Sequence, residues 1–539
     1  MSDPIIDREE VSSLDRDATI PEVESSSEIE GHGSLDRKDD RVSSENEGRL
    51  HKRRSEYNPG TEYSNFPGGG NGERSIGKLC VSRTEIGRGS NGTIVVEGSY
   101  EGRAVAVKRM VLGHHEIAYN EIRNLMESDK HPNIVRYYGM EQNDDFMFLA
   151  LEHAVCSLDD LIQAYSDSPI NSFNNPALVG YKKKLDSIRV RMQDVELWRA
   201  DGHPSPLLLN LMRGVVLGLV HLHNLRLIHR DLRPQNVLIT ENRSLVSSLV
   251  AQLSDMGITK CLPEDKFSLE SPATGCGSLG WQAPEQLLHE HQTRAMDMFN
   301  LGLVLFFCIT RGRHPFGKLL ERSINIENNK KDLFWVEFIP EAHDLISRLL
   351  EWDYKLRPKA SEVLCHPFFW NSEMRLSFFR DTSDRIQLEA ERAPNSDLLN
   401  ELESKAPLVF GKNWDDKIEP IFLANILKSN RRCNCSHLRD LLQVVRNKRS
   451  HYIEIPEEVQ VLALCVELLI ISVAASVTFH ILDHANFWQE LLGPVPEDCY
   501  NYFTKRFPRL LIESYGVVSQ FCKEEEGFRK YFDSNAFCT

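Results

Sequence analysis

The fold of this chain can be inferred from one stretch, His229-Arg230-Asp231-Leu232-Arg233-Pro234-Gln235-Asn236. Here the carboxylate of Asp231 precedes the carboxamide of Asn236 by five positions. A carboxylate can take a proton from a substrate hydroxyl, and a carboxamide oxygen at this spacing can hold a magnesium ion beside it. The octet therefore predicts a catalytic loop, and the flanking sequence indicates which reaction it serves.

Upstream of the octet lie groups suited to holding a nucleotide. Gly87, Gly89 and Gly92 fit a loop whose backbone can approach phosphates closely. Lys108 ends an apolar strand, where its ammonium can hold the α- and β-phosphates of ATP. Glu121, in the following helical stretch, is the natural ion-pair partner of Lys108.

Downstream, Asp255-Met256-Gly257 follows at the distance expected of a second metal-binding aspartate, and Ala283-Pro284-Glu285 closes an activation segment. Because these motifs occur in the correct order, they predict a protein kinase that uses ATP and Mg²⁺. Asp231, Lys108, Asn236 and Asp255 are the predicted catalytic residues, and Asn236 and Asp255 the magnesium ligands. The predicted nucleotide-binding residues are Gly87, Gly89, Gly92, Lys108, Glu121, Glu152, Ala154 and Arg233.

Two residues depart from the usual kinase pattern. Arg233 replaces a lysine, which keeps the positive charge and changes its geometry, and Met256 replaces a phenylalanine without removing a metal ligand. We therefore expect an active kinase specific for serine and threonine. Glu285 is expected to pair with Arg357, and Asp297 to anchor the catalytic loop. The candidate phosphoacceptors in the activation segment are Ser268, Ser271, Thr274 and Ser278.

The order of patterns along the 539 residues predicts an α+β protein with more than one domain. Short β-branched strands and then helices indicate a bilobal kinase fold over 76–370, with a surface insertion at 166–205. An all-helical domain follows at 371–518, and 519–539 is expected to be a tail. Residues 1–75, with 18 acidic against 10 basic side chains, are predicted to be a disordered acidic tail.

The composition indicates a reducing compartment. The twelve cysteines form no C-x-x-C pair, and no secretory signal pattern starts the chain. The net charge of −16 argues against general nucleic-acid binding, but residues 430–452 carry six basic side chains and one aspartate. That segment predicts a local surface for phosphate groups.

The basic segment also contains groups that can cleave RNA without a metal. Asn447 and His451 are four positions apart and share a helix face, and Arg439 and Arg446 lie along a neighbouring stripe. Such cleavage needs a proton acceptor for the ribose 2′-hydroxyl, a proton donor for the leaving oxygen and a cation for the phosphate. A histidine beside arginines on a surface is by itself more often only solvated.

Longer stretches around this segment carry a resemblance. The chain resembles the kinase/endoribonucleases of the inositol-requiring type, which act in the unfolded-protein response, and their relative ribonuclease L. The insertion 197–204 is similar to the plant branch. The stretches that carry the resemblance are Arg439-Asp440-Leu441-Leu442, Arg446-Asn447-Lys448, His451-Tyr452, 378–386 and 502–508.

The resemblance implies a function for the second domain. Nucleotide binding and trans-autophosphorylation would favour a dimer that cuts stem-loop mRNA and starts unconventional splicing. It makes Arg446, Asn447 and His451 the nuclease residues. The expected partners are ATP or ADP, stem-loop mRNA, and a second copy or a full-length relative. Membrane association through an N-terminal span is not expected, so we predict a cytoplasmic protein, or one held at the endoplasmic reticulum by partners.

Two features keep alternatives open. Cys433 stands where the family usually has a tyrosine, and the apolar segment Val461–Gln489 interrupts the similarity. That segment is long enough for a membrane helix, but its ends and length also fit a retained intron. One alternative is therefore a kinase whose second domain is a nuclease-dead dimerisation or RNA-binding module. Another is a partner that dampens full-length relatives.

Overall fold

The computed structural model describes residues 74–89, 92–112, 115–128, 130–166, 176–242, 248–262, 268, 277–420, 423–424, 433–450 and 502–533. All of them belong to one compact unit that starts at Gly69. The predicted tail 1–75 lies outside the described residues except for its last two, which begin a strand. The segment Val461–Gln489 and His451 also lie outside them.

The first lobe is an antiparallel sheet with one helix. Its elements are β1 (Arg74–Ile76), β2 (Leu79–Arg88), β3 (Ile94–Tyr100), β4 (Arg103–Val111), α1 (His115–Ser128), β5 (Tyr137–Gln142) and β6 (Phe146–Leu151). The described strands run in the order β1-β2-β3-β4-β6-β5. Along β4 the side chains alternate between the two faces, so Val105 and Val107 pack with Phe148 on one face. Lys108 and Met110 consequently face helix α1.

The second lobe is mainly helical, as the sequence predicts. Its centre is α6, which Thr293 caps and which is buried over almost its whole length. Its strands are β7 (Cys156–Ser157), β8 (Leu227–Ile228), β9 (Val237–Asn242), β10 (Ser248–Leu253) and β11 (Lys260–Cys261). Its helices are α2 (Leu158–Tyr165), α3 (Pro176–Arg191), α4 (Pro206–Asn224), α5 (Pro284–Leu287), α6 (Arg294–Ile309), α7 (Arg322–Glu327), α8 (Pro340–Leu349) and α9 (Ala360–Leu364).

The insertion predicted at 166–205 is not a surface element throughout, and this expectation is wrong for the helix α3. Leu185 and Ile188 are buried against the lobe, and the Trp198 indole donates a hydrogen bond to the carbonyl of Cys308 at 3.1 Å. Lys184 also pairs with Asp160 of α2 at 2.8 Å. Because the segment is polar overall, its sequence did not predict burial, although its apolar residues recur at helical spacing and line one face.

The second domain consists of helices that continue the kinase core. Trp370, the last residue of the predicted kinase domain, packs its ring against Phe378, Tyr515 and Tyr531. The buried side chains of the helical lobe and of this domain form one continuous cluster. Its helices are α10 (Ser372–Arg392), α11 (Asp397–Ser404), α12 (Ala406–Val409), α13 (Leu438–Ser450), α14 (Leu510–Phe521) and α15 (Glu526–Phe532).

The predicted tail at 519–539 is wrong as far as Asp533. Phe528 and Tyr531 of α15 are buried, and the Tyr531 hydroxyl donates to Asp381 of α10 at 2.7 Å. Arg385 of α10 also binds Glu525 at 2.9 Å. Charged residues dominate this stretch, but two aromatic side chains three positions apart are enough to attach one face of a short helix.

Among the described helices, Pro206–Asn224 is long and apolar enough to cross a membrane. It is α4 of the kinase lobe, and side chains such as Leu211, Val215 and Leu219 are buried in the protein core. Burial in the core explains its apolar composition.

Candidate active sites

The predicted ion pair of the nucleotide site is present. The Lys108 ammonium lies 2.7 Å and 2.8 Å from the two carboxylate oxygens of Glu121 and 2.9 Å from Oδ1 of Asp255. Burial opposes the charged ammonium, but the carboxylates of Glu121 and Asp255 outweigh it and raise the pKa of Lys108. Lys108 therefore stays positively charged and links β4 to α1 and to the segment that carries Asp255.

Helix α1 is tied to the segment that carries Asp255. Asn124 donates its amide protons to the carbonyls of Met256 at 3.1 Å and Thr259 at 3.0 Å. Asn124 lies three positions after Glu121, so both point inward from one face of α1. The sequence analysis did not identify Asn124, although its spacing from Glu121 was a usable signal. The position of α1 and that of Asp255 are thereby coupled.

Asp255 has the geometry and charge of a metal ligand. Its backbone is in the left-handed region at φ 61°, which non-glycine residues adopt rarely. The charge of Lys108 lowers the pKa of its carboxyl, against the opposing effect of burial, so the group is a carboxylate at neutral pH. Its side chain is 44% exposed, which leaves it accessible from the cleft.

Asp297 anchors the catalytic loop, as the sequence predicts. Its carboxylate is fully buried and accepts hydrogen bonds from the backbone N–H groups of His229 at 2.9 Å and Arg230 at 2.8 Å. His223 lies 2.9 Å from the same carboxylate. Arg230 has a φ of 72°, a conformation that these bonds hold in place. The backbone of the loop is therefore anchored to α6.

The groups around Asp231 are close together. The Asn236 amide donates to the Asp231 carboxylate at 3.0 Å and to its backbone carbonyl at 2.8 Å. The other carboxylate oxygen accepts from the backbone N–H of Ser278 at 2.8 Å, and the Nε of Arg233 lies 3.7 Å from the oxygen that Asn236 binds. Because Asn236 donates from its nitrogen, its oxygen is the atom available to a metal. The hydroxyl of Ser254, which sequence reasoning missed, donates to the backbone carbonyl of Asn236 at 2.9 Å.

The remaining predicted nucleotide residues line the junction of the two lobes. The N–H of Gly89 donates to the carbonyl of Thr93 at 2.9 Å and closes the loop, in which Gly92 has a φ of 73°. Gly87 pairs with Val95 across β2 and β3. Between the lobes, Glu152 accepts a hydrogen bond from Gln252 at 3.0 Å. Ala154 is partly buried two residues further on.

The activation segment is described only in part. Ser271 and Thr274 lie outside the described residues, whereas Ser268 and Ser278 are within them. The end of the segment is held by the predicted ion pair of Glu285 and Arg357, which is buried and measures 2.7 Å.

Helix α13 carries two of the predicted nuclease residues, Arg446 and Asn447. Leu441, Leu442 and Val445 are buried against α10 and α11, and the amides of Leu438 and Arg439 donate to the Glu403 carboxylate at 2.7 Å and 3.2 Å. This interaction satisfies amides that have no partner inside the helix. Sequence reasoning did not identify Glu403, because it lies 35 positions before Leu438.

The exposed side of α13 brings two predicted nuclease residues together. Arg446 and Asn447 are both partly exposed, and the Nε of Arg446 lies 2.6 Å from Oδ1 of Asp384 on α10. His451 follows the last residue of the helix and lies outside the described residues. Arg439 does not extend towards Arg446, because its guanidinium lies 3.1 Å from the imidazole of His437.

Cys433 lies near the start of α13. Burial, followed by the nearby charge of Asp440, raises the pKa of its thiol to about 12. The thiol therefore stays protonated and neutral at physiological pH. It carries no charge there, and its side chain packs against the hydrophobic core.

Comparisons with known proteins agree with this division of the chain. Residues 81–369 match the protein kinase domain, and residues 375–466 and 476–532 match the ribonuclease 2-5A domain. The gap in the second match, 467–475, falls within the apolar segment Val461–Gln489.

Several named relatives share both domains. The serine/threonine-protein kinase/endoribonuclease IRE1a of Arabidopsis thaliana is 51% identical over 87% of this chain and 52% of its own length. The IRE1 of Oryza sativa is 49% identical over 87% of the chain and 46% of its own length, so the chain spans about half the length of these curated relatives. An Arabidopsis relative named inactive IRE1-like is 39% identical over 85% of the chain and 79% of its own length. With both domains matched and this level of identity, the chain belongs to the IRE1 family of serine/threonine-protein kinase/endoribonucleases.

Proposed function

We propose that this chain is an active serine/threonine kinase and a metal-independent endoribonuclease of the unfolded-protein response. The observation that carries the kinase half is the convergence of Lys108, Glu121 and Asp255 within 3 Å, next to a loop in which Asn236 holds Asp231. The relatives that are 51% and 49% identical are named as kinase/endoribonucleases, and the predicted catalytic residues Lys108, Asp231, Asn236 and Asp255 are all present in this chain.

ATP and Mg²⁺ suit the residues of the kinase cleft. Asp255 offers an accessible carboxylate and Asn236 an amide oxygen, and magnesium prefers such oxygen ligands. The bound ion would neutralise charge on the transferring phosphate. Lys108 would hold the α- and β-phosphates, and the Arg233 guanidinium would face the γ-phosphate. Asp231 would orient the substrate hydroxyl and accept its proton.

In the nuclease half, Arg446 and Asn447 would bind the scissile phosphate of a stem-loop RNA. His451 would act as the proton-transfer group of 2′-hydroxyl attack. Nucleotide-dependent dimerisation and autophosphorylation, with a second copy or a full-length relative, would complete this site. The cleavage product would enter unconventional mRNA splicing. We place the protein in the cytoplasm or at the cytosolic face of the endoplasmic reticulum.

A second candidate function rests on Cys433. Its neutral thiol stands at the position of the family tyrosine and cannot stack on a base, and a named relative of similar extent is described as inactive. In this case the second domain would bind RNA or a full-length relative without cutting, and the protein would dampen active partners.

The deciding experiment measures cleavage of a labelled stem-loop RNA by the purified full chain with ATP or ADP. Cleavage that is lost in His451→Ala, with autophosphorylation retained, supports the dual enzyme. Asp231→Ala should instead abolish autophosphorylation. Absence of cleavage by the full chain and by a version without Val461–Gln489 would favour the dampening partner.

A further inference from the structure

Asp384 is the residue that the structure adds to the nuclease site. We infer that Asp384 is a positioning residue, which holds the Arg446 guanidinium so that its remaining N–H groups meet the RNA phosphate. This inference rests on the nuclease activity proposed above. Its starting point is the 2.6 Å approach of Asp384 Oδ1 to the Nε of Arg446, which crosses from α10 to α13.

Asp384 lies on α10, a helix that is well packed against its neighbours. Its neighbours Thr382, Ser383 and Ile386 are buried. One position after it, Arg385 binds Glu525. The backbone of α10 at Asp384 is therefore held in place, and its carboxylate is a fixed partner for a side chain on α13.

The Arg446 side chain needs a fixed partner to hold one conformation. Its side chain is 35% exposed and has several rotatable bonds, so without a partner it would sample many rotamers. A guanidinium carries five N–H donors in a planar fork. A contact at Nε leaves the two terminal nitrogens for a phosphate, and among the described residues these nitrogens have no hydrogen-bond partner. The contact therefore orients the fork without occupying it.

The pair contributes orientation rather than fold stability. Asp384 is 42% exposed, and ion pairs this accessible to water contribute little to folding. A negative carboxylate near the RNA backbone should also weaken RNA binding slightly. Removing it would therefore lower kcat while leaving KM unchanged or lower.

The test compares Asp384→Asn with the wild-type full chain in steady-state cleavage of a labelled stem-loop RNA. We expect kcat to fall about tenfold and KM to stay within about threefold, because orientation of a reacting group acts mainly on the chemical step. Asp384→Glu, which keeps the charge, should retain more activity than Asp384→Asn. Autophosphorylation should be unchanged in both variants.

The matched control is Asp381→Asn, which removes a carboxylate with charged partners one turn away on the same helix. It should lower the melting temperature but leave kcat of the folded protein unchanged. A second control uses Arg446→Lys, which keeps the charge and loses the fork. In that background Asp384→Asn should have little further effect, since the two residues act as a unit.

Three results would overturn the inference. First, Asp384→Asn could have the same kcat as Asp381→Asn. Second, Asp384→Asn could reduce kcat by the same factor in the Arg446→Lys background as in the wild type. Third, Asp384→Asn could raise kcat/KM, which would mean that the native carboxylate only repels RNA. Failure of the proposed function itself looks different. In that case the wild-type full chain itself would not cleave the RNA, and the role of Asp384 would be rejected with the nuclease activity. Cleavage by the wild type that is lost in Arg446→Ala but normal in Asp384→Asn would reject the role of Asp384 alone.

Discussion

Asp159 and Asp160 are neighbours on α2 with opposite consequences for stability. Burial, and secondly the charge of Asp160, raises the pKa of Asp159 to about 6. Asp160 instead accepts hydrogen bonds from Ser157 at the start of the helix and pairs with Lys184 at 2.8 Å. The Asp159 carboxylate loses contact with water without enough favourable interactions to offset that loss, whereas the Asp160 carboxylate caps the helix.

We predict that Asp159→Asn stabilises the protein at neutral pH. The unfolded chain loses this proton near pH 4 and the folded chain near pH 6, so folding is penalised increasingly between these values and by a constant amount above them. The penalty above pH 6 is about 3 kcal/mol. The gain in melting temperature should therefore be large at pH 7.5 and small at pH 4.5. An equal gain at both would contradict the buried-charge explanation.

The matched substitution Asp160→Asn should have the opposite sign. It weakens the capping box with Ser157 and the ion pair with Lys184, at a cost of about 1 kcal/mol. The same thermal melts measure it. A stabilising effect would mean that Asp160, like Asp159, is an uncompensated buried charge.

Arg233 stands where the catalytic loop of a kinase usually has a lysine, and its guanidinium can supply the same positive charge. Its Nε lies 3.7 Å from the Asp231 carboxylate. We predict that Arg233→Lys keeps most of the autophosphorylation rate, whereas Arg233→Met lowers it by about two orders of magnitude, because a cation at the transferring phosphate is lost. Equal rates in Arg233→Met and the wild type would exclude a role for this charge.

At the scale of elements, α15 decides how far the second domain extends. Tyr531 is fully buried and its hydroxyl binds Asp381 and Ser377. Tyr531→Phe should cost about 1–2 kcal/mol through the lost hydrogen bonds. Tyr531→Ala should cost about 3–5 kcal/mol through the cavity it leaves. Chemical denaturation measures both.

The control for α15 is Arg529→Ala on the exposed side of the same helix, which should change the free energy of unfolding by less than about 0.5 kcal/mol. If Tyr531→Ala behaved like Arg529→Ala, α15 would be dispensable and the domain would end before it.

At the scale of the whole molecule, the kinase lobe and the nuclease domain share one core. Trp370 contacts Phe378, Tyr515 and Tyr531, and His366 of the kinase lobe lies 5.6 Å from the ring of Tyr515. Continuous packing of this kind makes the two parts unfold together. A nucleotide that binds the cleft should therefore also protect the nuclease domain from unfolding.

We predict that Trp370→Ala breaks this coupling. The wild type should show one calorimetric transition that ATP analogues with Mg²⁺ shift as a whole. Trp370→Ala should lower stability by about 3–5 kcal/mol and show two transitions, of which the nucleotide shifts only one. Two transitions in the wild type would contradict a shared core.

The contacts among the candidate kinase residues could be predicted almost completely from the sequence, and those of the candidate nuclease residues only in part. Lys108, Asp231, Asn236 and Asp255 stand in motifs whose spacing is fixed by the elements that carry them, so their order indicates their geometry. Arg446 and Asn447 could be chosen because they share one helix. Asp384 could not, because it lies on a different helix and its role depends on how two helices pack.

The sequence by itself determined the α+β kinase fold and a helical domain after it, because local periodicity and short motifs carry that information. Tertiary structure alone decided that α3 and α15 belong to the core, that Asn124 ties α1 to the segment that carries Asp255, and that Asp384 meets Arg446. Each of these is a contact between residues far apart in the chain. Polar or charged composition suggests an exposed position for such residues, and only packing shows which partner offsets the loss of water.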